Sequence, residues 1–133
     1  MSDDDRPATS GFMHIGEVAA RTELSLRSLR HWEEVGLLPP SGRTEGGFRL
    51  YTEDDVAKVL VIRRMKPLGF TLEAMKDVLH DVEALHDPAT TAPDREAAAA
   101  RLAVIREDAV GRRAKLARQV EMADEFIGLL ADP

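Results

Sequence analysis

The fold is decided by residues 15–51, which read IGEVAARTELSLRSLRHWEEVGLLPPSGRTEGGFRLY. This pattern predicts two short helices joined by a tight turn and followed by a glycine-rich hairpin. The first helix is expected from about Ile15 to Arg21, where apolar residues recur at helical spacing. Ser25 is the expected N-cap of the second helix, and Gly36 suits the position just after its end. Two prolines then stop any helix, so the hairpin is predicted over residues 41–51.

The basic residues of this stretch lie on one side of the second helix and in the hairpin. The apolar arc of the helix includes Trp32, which is expected in the core rather than at the surface. The hairpin is predicted to turn at residues 45–47. The cations on the opposite arc and in the hairpin are Arg27, Arg30, His31, Arg43 and Arg49. A cationic helix beside a basic loop suits a nucleic-acid duplex, because the helix enters the major groove while the loop grips phosphates.

The remainder of the chain predicts three further helices. The third helix opens at Thr52, where a hydroxyl cap and carboxylates in the first turn suit the helix dipole. The fourth starts at Thr71 and fades near His86. Residues 88–93, PATTAP, predict a linker, and Asp94 is the expected cap of a long final helix.

That final helix, predicted over residues 94–130, carries a heptad-like apolar seam. At about 1.5 Å per residue it is roughly 55 Å long, too long to bury the seam within a small head. A partner helix is therefore required, and a second copy of the chain is its simplest source. The predicted dimer interface consists of Leu102, Ile105, Ala109, Leu116, Val120, Ala123, Ile127 and Leu130.

Composition excludes several classes of protein. The 133 residues contain no cysteine, which removes disulfides, thiolate metal sites and cysteine nucleophiles. No apolar run approaches the roughly 20 residues that span a bilayer, and the acidic N-terminus is unlike a secretory signal, so a cytoplasmic protein is expected. The net charge of −6 argues against nucleic acid, but the surplus acid lies outside residues 13–80, whose charges balance.

No constellation of catalytic or metal-binding residues is visible. The second helix has serines near a histidine but no oxyanion hole, and the chain has no phosphate-binding glycine loop. His14, His80 and His86 match no compact metal site. We therefore expect no enzyme activity, no metal and no cofactor. His80 and His86 lie where an effector pocket between head and long helix is conceivable.

Four segments in order resemble the MerR family of bacterial transcription regulators: IGEVA, LSLRSLRHWEEVGLLPP, EGGFRLYTEDDV and LGFTLEAMKDVL. The resemblance covers residues 13–79 and implies a mainly α fold. In that fold a winged helix-turn-helix head with a small β-hairpin wing precedes a long helix that forms an antiparallel coiled-coil dimer. The resemblance also implies sequence-specific binding of double-stranded promoter DNA. Such homodimers bind near-palindromic sites and distort the DNA to control RNA polymerase.

These inferences divide the chain into five segments. They are a disordered tail (1–12), a winged helix-turn-helix DNA-binding domain (13–87), a linker (88–93), a dimerisation helix (94–130) and a short tail (131–133).

The expected DNA contacts follow from the cationic arc and from the resemblance. They are Ser25, Arg27, Ser28, Arg30, His31, Arg43, Phe48, Arg49, Tyr51, Arg64 and Lys66. Alternatives remain for three groups. The two helix arginines would otherwise form a solvated face paired with Glu33 or Glu34. Phe48 would otherwise pack under the hairpin, and the last two cations would otherwise complement the dipole of the third helix.

Two departures from the family pattern bear on function. His31-Trp32 stands where two tyrosines are commonest, and the cysteines that metal-sensing members carry near the end of the long helix are absent. The resemblance therefore carries DNA binding to this chain but no signal, and a small-molecule effector stays open. The alternatives are an architectural DNA-binding protein and a module that binds a transcription component through the acidic coiled coil.

Overall fold

The computed structural model describes residues 11–132, so the predicted N-terminal tail lies almost wholly outside the described residues, as does Pro133. The elements are, in order, α1 Ile15–Thr22, α2 Leu26–Glu34, β1 Gly42–Arg43, β2 Arg49–Leu50, α3 Glu53–Met65, a 3-10 turn at Lys66–Leu68, α4 Leu72–His86 and α5 Ala92–Ala131. A mainly helical fold with a small two-stranded sheet and a long C-terminal helix confirms the predicted fold class.

The described residues fall into two units, which we call the head unit (11–65) and the helical unit (66–132). The fourth helix was predicted as part of the DNA-binding domain over residues 13–87. In the structure α4 belongs to the helical unit, because its apolar face packs along α5.

The turn between α1 and α2 is held by local hydrogen bonds. The buried Thr22 donates its hydroxyl to the carbonyl of Val18 at 2.7 Å. Glu23 follows with φ 59°, in the left-handed region that glycine adopts at lower cost. Ser25 then caps α2 as predicted: its Oγ accepts the amide of Ser28 at 3.0 Å. Such a cap stabilises a helix by about 1 kcal/mol.

The core of the head unit is built from one apolar face of each helix and from the chain that follows α2. Gly36, with φ 76°, ends α2 as predicted and turns the chain back over it. The buried apolar residues are Met13, Val18, Leu29, Trp32, Leu37, Leu38, Leu50, Tyr51, Val56, Val59, Ile62 and Met65. Trp32 is 3% exposed, which confirms its prediction as a core residue.

The wing is an antiparallel pair of two-residue strands, shorter than the hairpin predicted over 41–51. Thr44 closes its turn. The Thr44 amide donates to the carbonyl of Phe48 at 2.9 Å, and the Thr44 Oγ1 accepts the amide of Phe48 at 3.1 Å. Gly47 has φ 84° while Gly46 stays outside the left-handed region, so only one of the two glycines is needed for its conformational freedom.

α3 begins with the hydroxyl cap that the sequence predicted. Thr52 Oγ1 accepts the amide of Asp55 at 3.1 Å, and Asp55 Oδ2 accepts the amide of Thr52 at 2.9 Å. The same Asp55 oxygen accepts the hydroxyl of Ser41 at 2.5 Å, so this carboxylate is buried with its hydrogen bonds made. The contact ties the start of the wing to the start of α3.

In the helical unit, capping decides where each helix begins. Thr71 caps α4 as predicted, accepting the amide three residues on at 3.1 Å. The predicted cap of α5, Asp94, is wrong. α5 begins at Ala92, and the hydroxyl of Thr91 accepts the amide of Asp94 at 3.3 Å. Pro93 favours this earlier start, because a proline in the first helical turn loses no intrahelical hydrogen bond.

α5 has 40 residues and is about 60 Å long, and its two halves differ in exposure. In the N-terminal half, the predicted seam residues Leu102, Ile105 and Ala109 are half-buried. The C-terminal half carries exposed large apolar side chains, which are Leu116, Val120, Met122, Phe126, Ile127, Leu129 and Leu130. A single copy therefore leaves much of the predicted seam open to solvent.

Candidate nucleic-acid interface

The exposed face of α2 carries two arginines without internal partners. Arg27 and Arg30 are exposed and make no ion pair or hydrogen bond with any residue between 11 and 132. Their expected intrahelical partners are directed elsewhere, because Glu33 binds the wing and Glu34 lies 3.9 Å from His31. The solvated ion-paired face considered from the sequence is thus not what forms, and both guanidinium groups are free to meet an anion.

The N-terminal turn of α2 adds hydroxyl groups beside these cations. The Ser25 Oγ donates to the Ser28 Oγ at 3.0 Å while it accepts the Ser28 amide. The Ser28 hydroxyl makes no other hydrogen bond within residues 11–132, so it can donate to a phosphate oxygen. Ser25 is the N-cap of α2, and the helix itself carries Arg27, Ser28, Arg30 and His31.

The two wing arginines lie directly opposite each other. Arg43 of β1 and Arg49 of β2 are register partners in the sheet. Both donate to the carboxylate of Glu33 on α2, Arg49 through Nε to Oε1 and Arg43 through Nη2 to Oε2. Arg43 also donates through Nη1 to the carbonyl of Gly47 at 3.0 Å. The hydrogen bond to Glu33 raises the pKa of Arg49 above its already high ordinary value.

Phe48 projects from the tip of the wing and is 68% exposed. It does not pack under the hairpin, which was the alternative that the sequence left open. Its ring lies beside Gly46, where an added Cβ would stand 3.4 Å from two ring carbons. An exposed aromatic ring at a basic loop tip suits contact with the sugar–phosphate backbone.

Tyr51 is a correction to the predicted site. Its side chain is fully buried, so it does not reach a phosphate. Two backbone hydrogen bonds with Met13, of 2.7 and 2.8 Å, draw the chain after β2 into the core. The hydroxyl of Tyr51 has no hydrogen-bond partner within residues 11–132, and burial raises the pKa of the phenol. Strand alternation alone did not reveal this, because Leu50 and Tyr51 are consecutive and both buried.

The cations near the end of α3 have different surroundings. Near the end of α3, Arg63 pairs with Glu23 at 3.1 Å. At the start of the same helix, Glu53 accepts two hydrogen bonds of 2.6 and 2.8 Å from Arg21 of α1. Arg64 is exposed and makes no such contact with any residue from 11 to 132. Lys66 is also exposed but belongs to the helical unit, at the start of the 3-10 turn.

Glu33 is the residue of this site that sequence reasoning missed. The sequence suggested it as a partner of Arg27 or Arg30 on its own helix. The structure instead joins it to Arg43 and Arg49, which are 10 and 16 residues away along the chain. No spacing rule predicts such a pairing, because it depends on where the wing returns over α2.

The helical unit contains a groove of about 600 Å³ between α4 and α5. It is lined by Asp77, Val78, His80, Asp81, Arg101, Val104 and Ile105. His80 therefore lines a concave surface, but this groove lies within the helical unit; the pocket suggested between the head and the long helix is not tested by it. His86 does not line the groove; its Nδ1 lies 2.8 Å from the carbonyl of Val82, one turn back on the same helix.

Residues 11–132 offer neither a metal site nor a membrane-spanning helix. No group of three or more histidine, aspartate or glutamate side chains there is arranged to hold a metal ion. None of the helices in that range is both long and apolar enough to cross a membrane.

The head unit thus combines a helix-turn-helix, an exposed cationic helix face and a basic two-stranded wing, which together define a winged helix-turn-helix DNA-binding protein. A family model described as MerR HTH family regulatory protein matches residues 13–82, more than half of the chain. The chain belongs to this family, whose members are DNA-binding regulators of transcription.

Curated relatives share the first half of the chain. The HTH-type transcriptional regulator ZntR of Escherichia coli K12 is 42% identical over 65 residues, which cover 49% of this chain and 46% of ZntR. The nodulation protein NolA of Bradyrhizobium elkanii is 40% identical over 73 residues, which cover 55% of this chain and 33% of NolA. The matched region thus spans half or less of either relative.

Solved structures share the fold over most of the chain. A MerR family transcriptional regulator from Listeria monocytogenes has a TM-score of 0.66 at 25% identity, covering 90% of this chain and 86% of that one. One from Bacillus thuringiensis has a TM-score of 0.71 at 18% identity, covering 90% and 96%. HiNmlR, described as a MerR family regulator lacking the sensor domain and bound to promoter DNA, has a TM-score of 0.64 at 22% identity, covering 90% and 88%. The last two likenesses concern the fold alone.

Proposed function

We propose that this protein is a homodimer that binds a near-palindromic promoter site and distorts the duplex to control RNA polymerase. The single observation that carries the proposal is the pair of exposed arginines on α2, Arg27 and Arg30, which have no internal partner among the described residues. Unpaired guanidinium groups at the surface of a short helix suit guanine edges and phosphates in the major groove. The proposal assigns no catalytic step to the chain.

The wing and the end of α3 extend the proposed contact surface. Arg43, Phe48 and Arg49 lie on the hairpin, where they meet the phosphates that flank the bases read by α2. Arg64 is the further candidate of the head unit, since it is exposed and makes no ion pair or hydrogen bond within residues 11–132. Lys66 stays a proposed phosphate contact of the helical unit.

Dimerisation through α5 is the second part of the proposal. Val120, Ile127 and Leu130 are 60 to 63% exposed in one copy. Burying such side chains is favourable by about 1.5–3 kcal/mol each, and a second α5 supplies the matching surface. The resemblance to the family adds that the two helices run antiparallel. Two heads held at a fixed separation then read two half-sites, which explains a near-palindromic operator.

Distortion of the promoter requires free energy that the protein must supply through its contacts. Bending or untwisting a promoter costs several kcal/mol, and many phosphate contacts from two heads are needed to offset that cost. The proposed partners are therefore promoter DNA and, by family resemblance, RNA polymerase. The proposed location is the cytoplasm, where a bacterial promoter lies. The α4–α5 groove is the proposed place for an effector, whose identity the groove does not specify.

The direct experiment is selection of duplexes from a random pool, followed by measurement of affinity at several salt concentrations. We expect two related half-sites in the selected sequences. We also expect affinity to fall steeply between roughly 50 and 200 mM salt, because each phosphate contact releases condensed counterions. A chain that binds no duplex at low salt, or binds with affinity insensitive to salt, is not the proposed regulator.

A further inference from the structure

The geometry of the wing brings two positive charges close together. Arg43 and Arg49 stand directly opposite each other on strands only two residues long. Two like charges in a direct cross-strand pair repel and destabilise the hairpin. A two-stranded ribbon of this length has little stability of its own, so an outside group must offset the repulsion.

Glu33 of α2 supplies that group. Each of its two carboxylate oxygens accepts a hydrogen bond from a different wing arginine. The side chain of Glu33 is 20% exposed, against 45% for Arg43 and 30% for Arg49, so the carboxylate lies on the inner side of the two guanidinium groups. One acid on the helix therefore holds both strands of the wing.

The hydrogen bonds leave the outer donors of the arginines unused. Arg49 donates to Glu33 through its Nε alone, and its two terminal nitrogens make no hydrogen bond with residues 11–132. Arg43 donates one proton from each terminal nitrogen, one to Glu33 and the other to the carbonyl of Gly47. An arginine carries five N–H donors in a fixed plane, so a phosphate can bind the outer edge without displacing Glu33.

We propose that Glu33 is a positioning residue for DNA binding: it holds the two wing arginines against α2, so that their outer donors are already placed for backbone phosphates. The proposal rests on the proposed function and adds a role for an acidic residue inside a cationic surface. Without Glu33 the two arginines repel each other, and their side chains must be ordered at the moment of binding. That ordering weakens the complex.

The experiment compares Glu33→Gln with the matched control Glu34→Gln. Both variants remove one negative charge from the same turn of α2, but Glu34 is exposed, and its one ion-pair neighbour within residues 11–132 is His31, at 3.9 Å. For Glu34→Gln we expect unchanged or tighter binding to the selected duplex, since an acid near phosphates is removed. For Glu33→Gln we expect binding weaker by about tenfold, because charge-assisted hydrogen bonds are lost. The slope of log affinity against log salt should also become shallower by about one contact, or roughly 0.9.

Two further measurements separate positioning from a general loss of structure. In a mutant cycle, adding Glu33→Gln to the Arg43→Gln/Arg49→Gln variant should leave its binding nearly unchanged, because Glu33 acts through both wing arginines. Glu33→Asp keeps the charge but is one methylene shorter and cannot reach both arginines. We expect it to lose affinity at an unchanged net charge, which also covers the case in which Glu33→Gln fails to fold.

Hydrogen exchange in the free protein gives a readout independent of DNA. The Thr44 amide, bonded to the Phe48 carbonyl, should exchange faster in Glu33→Gln while the amides of α1 and α3 keep their protection. If wild-type protein binds no duplex, the proposed function fails, yet this exchange still decides whether Glu33 holds the wing. The proposal is overturned if Glu33→Gln binds as Glu34→Gln does or more tightly, or if Thr44 exchange is unchanged.

Discussion

Arg101 of α5 donates three hydrogen bonds, of 2.9, 3.0 and 3.2 Å, to the carboxylate of Asp81 on α4. The Asp81 side chain is only 6% exposed, while the side chain of Arg101 is 58% exposed. The pairing raises the pKa of Arg101, chiefly through these hydrogen bonds. A two-pronged arginine contact with a buried acid sets the register of α4 on α5, because both planes must align.

Replacing Arg101 with alanine should destabilise the packing of α4 on α5. The Asp81 carboxylate would stay buried without its partner, which costs about 1–3 kcal/mol after allowance for the exposed guanidinium. Urea unfolding at a fixed protein concentration measures the change, and Arg106→Ala is the control. Arg106 is exposed, with Glu107 as an ion-pair neighbour at 4.0 Å. Equal stability of the two variants would mean that the Asp81 contact contributes little.

Replacing both Arg27 and Arg30 with alanine should abolish binding to the selected operator and leave the protein dimeric. Both side chains are exposed and make no ion pair or hydrogen bond within residues 11–132, so we expect the fold to tolerate their removal. A fluorescence anisotropy titration measures the affinity, and sedimentation measures the mass. The control removes the same charge from α5 through Arg106→Ala with Lys115→Ala. Tight operator binding by the Arg27/Arg30 variant would refute the role given to α2.

An aspartate at Leu116 or Val120 should split the dimer into monomers. Either change places a charge in the apolar seam proposed to be buried between two copies of α5, where an unpaired charge is costly. Analytical ultracentrifugation over a range of concentrations measures the mass. Ala114→Asp is the control, because it adds the same charge to α5 outside the predicted seam. An unchanged mass for the seam variants would reject this dimer interface.

Tyr51→Phe should raise the free energy of unfolding by about 1 kcal/mol, because it removes a buried hydroxyl to which none of the described residues offers a hydrogen bond. DNA affinity should not change, since the side chain is fully buried. Urea unfolding and operator titration measure the two quantities. A loss of affinity with unchanged stability would restore Tyr51 to the DNA-contacting set.

The stability difference between Tyr51→Phe and the wild type should increase with pH. Burial raises the pKa of Tyr51 in the folded protein above its ordinary value of 10.0. Above about pH 10 the unfolded chain therefore ionises while the folded chain stays neutral, so the wild type loses stability as pH rises. The free energy of unfolding of Tyr51→Phe should therefore exceed that of the wild type by more at pH 11 than at pH 9. A difference that stays constant over that range would contradict the effect assigned to burial.

Much of the local structure follows from sequence alone because its causes lie within a few residues. Ser25 caps α2 through an amide three residues on, and Gly36 ends the helix with the positive φ that its missing side chain allows. Thr71 caps α4 in the same way, through the amide three residues on. The predicted cap of α5, Asp94, was wrong, because the helix starts one turn earlier with Thr91 as its cap. Pro93 suits a position in the first turn of that helix.

In the candidate site too, features with local causes were predicted and features with distant causes were not. Sequence periodicity predicted that Arg27 and Arg30 lie away from the apolar arc of α2, and the structure leaves both exposed. Whether they contact DNA stays a prediction. Periodicity did not predict that Tyr51 is buried, because two hydrogen bonds to Met13, far earlier in the chain, draw it inward.

What the sequence by itself determined is the set of helices, the caps of α2, α3 and α4, the turn glycines and the apolar faces, since each depends on neighbours within one or two helical turns. Only the tertiary structure decided that Glu33 joins both strands of the wing to α2, that α4 packs on α5, and that Asp81 is buried against Arg101. These are contacts between residues 10 to 20 or more positions apart. Their partners are selected by how whole elements pack, and no local spacing of residue types encodes that choice.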